Sequence, residues 1–215
     1  ILSGLVGSEM CIRDRDRVFP VVKFIRKTYP ELILSVDTFR SEVARNCLDL
    51  GIDIINDISA GCIDKNILDV VAEYNCPYIM MHMKGTPQTM QVNPEYENLI
   101  KELLIYFAKR IYLAREKGII DIIVDPGFGF GKTLDHNYTI MKKIENFKLL
   151  DLPILVGISR KSFITKQLDI DKKDSLNGTT ALNMYFLEKN INILRVHDVK
   201  EAKECIMLHE KIKSS

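Results

Sequence analysis

Cysteine is scarce here and poorly placed for any framework. The five cysteines (Cys11, Cys47, Cys62, Cys76 and Cys205) are scattered, odd in number and without a CxxC pair. That is the usage of reduced cytosolic thiols, and it argues against a disulfide scaffold or a zinc site. No stretch reaches the about 18 consecutive apolar residues of a bilayer span, although 47% of the 215 residues are hydrophobic. An excess of charge is also missing, with 30 Lys and Arg against 29 acidic residues and a formal net charge of +1. Such a balance argues against nucleic acid or an anionic membrane as the main partner.

The apolar content suffices for one ordinary core. Residues 1–15 (ILSGLVGSEMCIRDR) open on Ile1 and lack the basic start and long apolar stretch of a signal peptide. They read as foreign, adaptor-like sequence, the alternative being a short native helix or loop. Residues 16–215 are expected to form the domain. The sequons at Asn137 and Asn177 stand alone, with nothing else suggesting secretion.

From Val18 onward helical and strand-like patterns alternate. Val18, Val21, Val22 and Ile25 recur at helical spacing until Pro30. Further helical patterns cover 42–50, closed by Gly51, then 64–74, 96–117, a segment marked by Ile140, Ile144 and Phe147, 176–187, and 198–212 with Asp198 placed as N-cap. Between them lie six short apolar runs at 32–36, 52–55, 77–81, 119–124, 154–158 and 191–196. Continuous apolar strands separated by helices predict a parallel sheet covered on both faces.

Two α/β architectures compete. A doubly wound sheet calls for a glycine-rich phosphate turn after its first strand, and none occurs there. A (β/α)8 barrel sets functional groups at the C-terminal ends of many strands. All six runs end that way: Asp37, Asn56-Asp57, His82, Asp125, Ser159 to Lys161, and His197. The expectation is a (β/α)8 TIM barrel with its last six strands present and its first two missing.

Residues 125–133 (DPGFGFGKT) form the most unusual segment. It fails as a P-loop, because position 126 is Pro, and as GxGxxG, because position 132 is Lys. What remains is a strand-end carboxylate and a glycine-rich loop with two aromatic rings, able to approach and flank a flat ligand; a flexible loop over packed phenylalanines is the alternative. Asp37, Asn56 and Asp125 supply acceptors and an amide for an N–H rich heterocycle edge. Lys161, Arg195 and His197 suit an anionic substrate, while Arg160 reads as a surface ion-pair partner. The methionines around His82 (Met80, Met81, Met83) read as an apolar pocket floor with His82 hydrogen-bonded at its edge. No ligand set has zinc spacing, and His136 and His209 carry no signal.

Taken in order, the segments at 35–38 (SVDT), 54–58 (IINDI), 81–83 (MHM), 125–132, 159–162 (SRKS) and 195–198 (RVHD) resemble the dihydropteroate synthases. The likeness runs from Arg17 to about Lys211. It implies a homodimeric TIM barrel that condenses (7,8-dihydropterin-6-yl)methyl diphosphate with p-aminobenzoate and is the target of sulfonamides. By motif, Asp37, Asn56, Met81, Asp125, Lys161 and Arg195 would hold the pterin. Arg195 and His197 would take the diphosphate, and Phe130, Lys161 and Ser162 would border p-aminobenzoate. Asp125, Lys161 and Arg195 would be catalytic. The family's Mg2+ ligand belongs to a strand with no counterpart here, so no metal ligand is assigned in this chain and the chain as written is expected to be inactive. A pterin-binding methyltransferase barrel and a non-catalytic pterin-binding paralogue are the alternatives.

Overall fold

The computed structural model describes residues 17–86, 88–90 and 94–215; the expectation for residues 1–15 lies outside them. Two compact units divide the chain, one reaching Met81 and including Lys109–Ile122, the other made of His82–Ala108 and Ile123–Ser215.

In the first unit residues 17–28 form helix α1. There follow β1 (Ser35–Asp37), α2 (Ser41–Asp49), β2 (Ile54–Asp57), α3 (Ile67–Tyr74) and β3 (Tyr78–Met81). The three strands are parallel neighbours in chain order, with Ser35 opposite Ile54 and Ile55 opposite Tyr78. All four residues of β3 are buried, as a strand covered on both faces requires. Helix α2 buries Val43, Ala44, Cys47 and Leu48, a stripe at helical spacing. It ends at Gly51, whose φ of +89° is the left-handed turn that glycine takes without strain. Helix α3 starts three residues later than expected. The Asp64 carboxylate instead accepts from Ser41 N at 2.7 Å and Ser41 Oγ at 2.6 Å, capping α2 from outside.

The turn after β2 is set by Asp57, which is fully buried. Its oxygens accept from Ser59 N (2.7 Å), Ser59 Oγ (2.7 Å), Gly61 N (2.6 Å) and Tyr78 Oη (2.7 Å). A carboxylate away from water is stable only with its lone pairs so occupied. Helix α4 (Leu99–Glu116) carries the chain back into this unit from Lys109 and ends at Gly118, again at positive φ.

Strand β4 (Ile122–Asp125) leads into the second unit. There Val124 bridges Ile154 in parallel, and β5 (Leu155–Val156) pairs in parallel with β6 (Ile193–Leu194). Helices α5 (Leu134–Lys142), α6 (Ser162–Leu168), α7 (Leu176–Glu188) and α8 (Val199–Lys213) complete it. Phe107, Phe128, Phe147 and Phe186 are fully buried. They meet edge to face, Phe107 with Phe147 at 6.1 Å and Phe128 with Phe186 at 5.5 Å between ring centres, the arrangement the aromatic quadrupole favours.

The six expected strands are present among the described residues, each shifted by up to three residues, and every pairing described is parallel. No closed barrel is formed among them. The helix expected around Ile140 to Phe147 is broken: α5 stops at Lys142 and a 3₁₀ segment, Ile144–Leu150, takes over. Helix α6 was not foreseen, since seven residues give two turns and too little periodicity to read. No described helix is long and apolar enough to cross a membrane.

The packing fixes the expected cost of three substitutions. Asp57→Ala would strand four buried donors and should cost on the order of 3 kcal/mol or more, whereas Tyr78→Phe should cost about 1 kcal/mol. In α7, a Cβ on Gly178 would lie 2.7 Å from Ile164 Cγ2 and 2.9 Å from Leu168 Cδ1. Leu168 is half exposed and can yield, but Ile164 is buried. Gly178→Val should therefore lose about 2 kcal/mol to overpacking; urea unfolding midpoints check all three.

Candidate functional site

In the first unit β1 and β2 set Asp37 opposite Asn56 in register. Asn56 Nδ2 donates to Asp37 Oδ1 at 2.8 Å. A carboxylate can only accept from it, so the amide orientation is fixed. The other end, Asn56 Oδ1, is buried and without a hydrogen-bond partner. A buried orphan acceptor beside a carboxylate is an unmet demand for N–H donors. Asp37 itself is exposed and opens on a cleft of about 210 Å3 shared with Val36, Thr38 and Arg40. Met81 ends β3 as a buried side chain, with Met80 and Met83 also buried. Asp57, grouped with Asn56 by sequence, is taken up by its own turn.

In the second unit Asp125 stands buried at the end of β4. Its Oδ1 accepts from Gly127 N at 2.8 Å and its carbonyl from His82 N at 3.1 Å. Burial pushes the Asp125 carboxyl up from its ordinary value, while Lys161, the Gly127 N–H, Lys132 and Arg195 pull it back. Lys161, at the N-cap of α6, is half-buried. Its ammonium donates to Phe128 O and sits 4.7 Å from the Phe130 ring centre. Burial lowers it to about 8, against the attraction of Asp125 and with the repulsion of Arg195.

The glycine-rich loop is less uniform than its sequence. Gly127, Gly129 and Gly131 all have positive φ. At Gly131 a Cβ would fall 2.8 Å from the Lys84 carbonyl, so nothing larger fits. The two rings part: Phe128 is core, against Phe163 and Phe186, and only Phe130 remains half-exposed beside Lys161. Gly129 N donates to Asn137 Oδ1 at 2.7 Å, and Asn137 Nδ2 to Thr133 O at 2.6 Å. A sequon asparagine spent in this way is no glycan acceptor. His136, given no role by sequence, completes the α5 capping box by accepting from Thr133 N through Nδ1 at 3.2 Å.

Arg195 N donates to Val156 O at 2.9 Å, and His197 N to Ser159 Oγ at 3.2 Å. Both side chains are exposed. Arg160 behaves as an ion-pair residue, forking onto Asp198 at 2.9 and 2.6 Å. Asp198 occupies the α8 N-cap position, but its carboxylate makes no capping bond because Arg160 holds it. Ser162 opens α6 as an exposed residue on a cleft of about 290 Å3 lined also by Gly129, Thr133 and Lys166.

One residue escaped the sequence reading. Lys132 is almost fully buried, with its ammonium among the carbonyls of Gly127, Phe130 and His82. His82 Nδ1 is 3.1 Å from the same ammonium; burial and then that neighbouring charge lower the imidazole to about 3, so it stays neutral. A lysine closing a run of three glycines was the available signal. Among the described residues, no group of three or more His, Cys, Asp or Glu side chains is placed to hold a metal ion.

Residues 11–197 match the family described as pterin binding enzyme. The chain is 42% identical over 190 residues to the dihydropteroate synthase of Synechocystis sp., covering 87% of this chain and 65% of that protein. It is 39% identical over 207 residues to the Escherichia coli K12 enzyme of the same name, covering 95% and 73%. It thus spans 65–73% of the length of these two relatives. Among solved structures, the Yersinia pestis dihydropteroate synthase with a sulfonamide drug complex superposes with a TM-score of 0.89 at 34% identity, over 93% of this chain and 73% of that one. The Clostridium difficile enzyme in the presence of pteroic acid gives 0.85 at 31%, over 92% and 73%. The chain belongs to the dihydropteroate synthase family of pterin-binding enzymes.

Proposed function

We propose that this protein is a transferase of folate biosynthesis that condenses (7,8-dihydropterin-6-yl)methyl diphosphate with p-aminobenzoate, on a (β/α)8 barrel. The observation that carries the reading is the buried strand-end carboxylate of Asp125 coupled to two cations, Lys161 and Arg195. A barrel that only held a reduced folate for methyl transfer would have no use for cations suited to a diphosphate. The orphaned Asn56 Oδ1 beside Asp37 supports a pterin, whose amino group and ring nitrogens present N–H donors.

In this reading Asp37, Asn56, Met81, Asp125, Lys161 and Arg195 contact the pterin. Arg195 and His197 take the diphosphate, and Phe130, Lys161 and Ser162 border p-aminobenzoate. The methylene carbon–oxygen bond breaks first, and the diphosphate leaves with the electron pair toward Arg195 and His197. Asp125 offsets the positive charge left on the pterin methylene. The aromatic amine then attacks that carbon and gives its proton to solvent, so no strong general base is needed. Mg2+ is the ion expected with the diphosphate, since Mg2+ commonly keeps its waters and binds substrate phosphates. The described residues form no cage for it, and no step here runs through it. The reading includes a cytoplasmic homodimer.

The test is incorporation of labelled p-aminobenzoate into dihydropteroate by the protein expressed from its native reading frame, with pterin diphosphate and Mg2+ supplied. Lys161→Ala and Arg195→Ala should each lower kcat/KM by roughly a hundredfold or more. Pterin binding without any incorporation would favour the methyltransferase or the non-catalytic paralogue.

A pH prediction follows from Lys161. Its ammonium is present below about 8 and lost above it. The carboxylate of p-aminobenzoate stays ionised throughout, so its affinity should fall as pH rises through about 8. Lys161→Arg, charged at every accessible pH, should abolish that inflection in a calorimetric titration series.

A further inference from the structure

The loop at 125–133 has an unusual internal organisation. Three of its carbonyls turn onto two ammonium groups. Lys132 Nζ donates to Gly127 O at 2.9 Å and Phe130 O at 3.0 Å, and Lys161 Nζ donates to Phe128 O. From outside the loop, Lys132 Nζ also meets His82 O at 3.3 Å and His82 Nδ1 at 3.1 Å. Lys132 is 4% exposed. An ammonium has three donors and no acceptor, and here four acceptors surround it. With three glycines at positive φ, the backbone has little conformational preference of its own. Something outside the peptide chain's own ladder has to select one shape, and a cation gathering carbonyls can do so.

We propose that the Lys132 ammonium is an internal cation that shapes this loop, and that Lys132 is thereby the positioning residue for the Phe130 ring and its contact with Lys161. Lys132 fixes the Phe130 carbonyl, the Phe130 ring lies 4.7 Å from the Lys161 ammonium, and Lys161 returns to the Phe128 carbonyl. The path thus ends one residue from Gly127, whose carbonyl Lys132 also holds. Its functional consequence rests on the reading of Phe130 and Lys161 as the wall of the p-aminobenzoate site.

The chain contains no tryptophan, so Phe130→Trp installs a single fluorophore at the loop. In that background Lys132→Met should raise acrylamide quenching of the indole, while far-ultraviolet ellipticity is retained. With Phe130 intact, Lys132→Met should raise KM for p-aminobenzoate by roughly ten- to a hundredfold, as a misplaced contact does, and raise KM for pterin diphosphate by a clearly smaller factor, since Lys132 bears on that substrate only through its charge on Asp125. In Lys132→Ala, n-butylammonium should restore the low quenching and tetramethylammonium, which has no N–H donor, should not. Unchanged quenching in Lys132→Met, or equal rises in both KM values, overturns the proposal. So does failure of both variants to fold even with n-butylammonium, which would make Lys132 a general stabiliser. The fluorescence needs no turnover; absent synthase activity in every variant, with the quenching pattern as expected, would reject the functional reading alone.

Discussion

The second unit is organised around one buried negative charge. Asp125 sits out of water at the end of β4, and a carboxylate there is tolerable only if positive charge and N–H donors come to it. The Gly127 N–H supplies one bond, and Lys161, Lys132 and Arg195 supply charge. The two lysines are themselves desolvated, which lowers Lys132 to about 7 and Lys161 to about 8. Each ammonium in turn needs acceptors, and the loop carbonyls provide them. The glycine content of 125–133 is thus a consequence of the charge: a backbone that must turn several carbonyls inward within a few residues has to visit positive φ.

Three strand-end carboxylates illustrate how environment divides a common position into different roles. Asp57 accepts from four protein donors and holds a turn. Asp37 is exposed and accepts from Asn56, whose own buried Oδ1 has no partner. Asp125 is buried and balanced mainly by side-chain charge. A saturated carboxylate has nothing to offer a ligand. The other two do, and they differ in the ligand they suit: Asp37 with Asn56 suits neutral N–H groups, and Asp125 suits a group that becomes positive.

Much of this was legible in the sequence, for identifiable reasons. The six strands were readable because each is a short apolar run ending in a polar residue, and α2 and α4 because Gly51 and Gly118 mark their ends. The segments at 35–38, 54–58, 125–132 and 195–198 carried the family. What could not be read is what depends on partners distant in sequence. Asp64 looks like the start of α3 but serves Ser41. Asp198 looks like a cap but serves Arg160. Phe128 and Phe130 look equivalent, and only the packing of Phe163 and Phe186 separates them. Lys132 looks like a surface lysine because composition rarely buries one.

The Arg160–Asp198 pair shows why exposure is a poor guide to importance here. Partly exposed ion pairs contribute little to stability. Yet Arg160 adopts a φ of +55°, a conformation that a residue with a side chain takes only when its surroundings impose it. The guanidinium fork on Asp198 is one such restraint, and the bond from Arg160 N to Thr179 Oγ1 at 3.2 Å is another. Lys161 follows Arg160 directly, and His197 precedes Asp198. The pair therefore joins the segment after β5 to the segment after β6 at the two points where the side chains of Lys161 and His197 leave the backbone, and the Ser159–His197 bond repeats the tie one residue further in. Its value is geometric: it ties two loop segments into one support for Lys161 and His197, which a net energy near zero does not diminish.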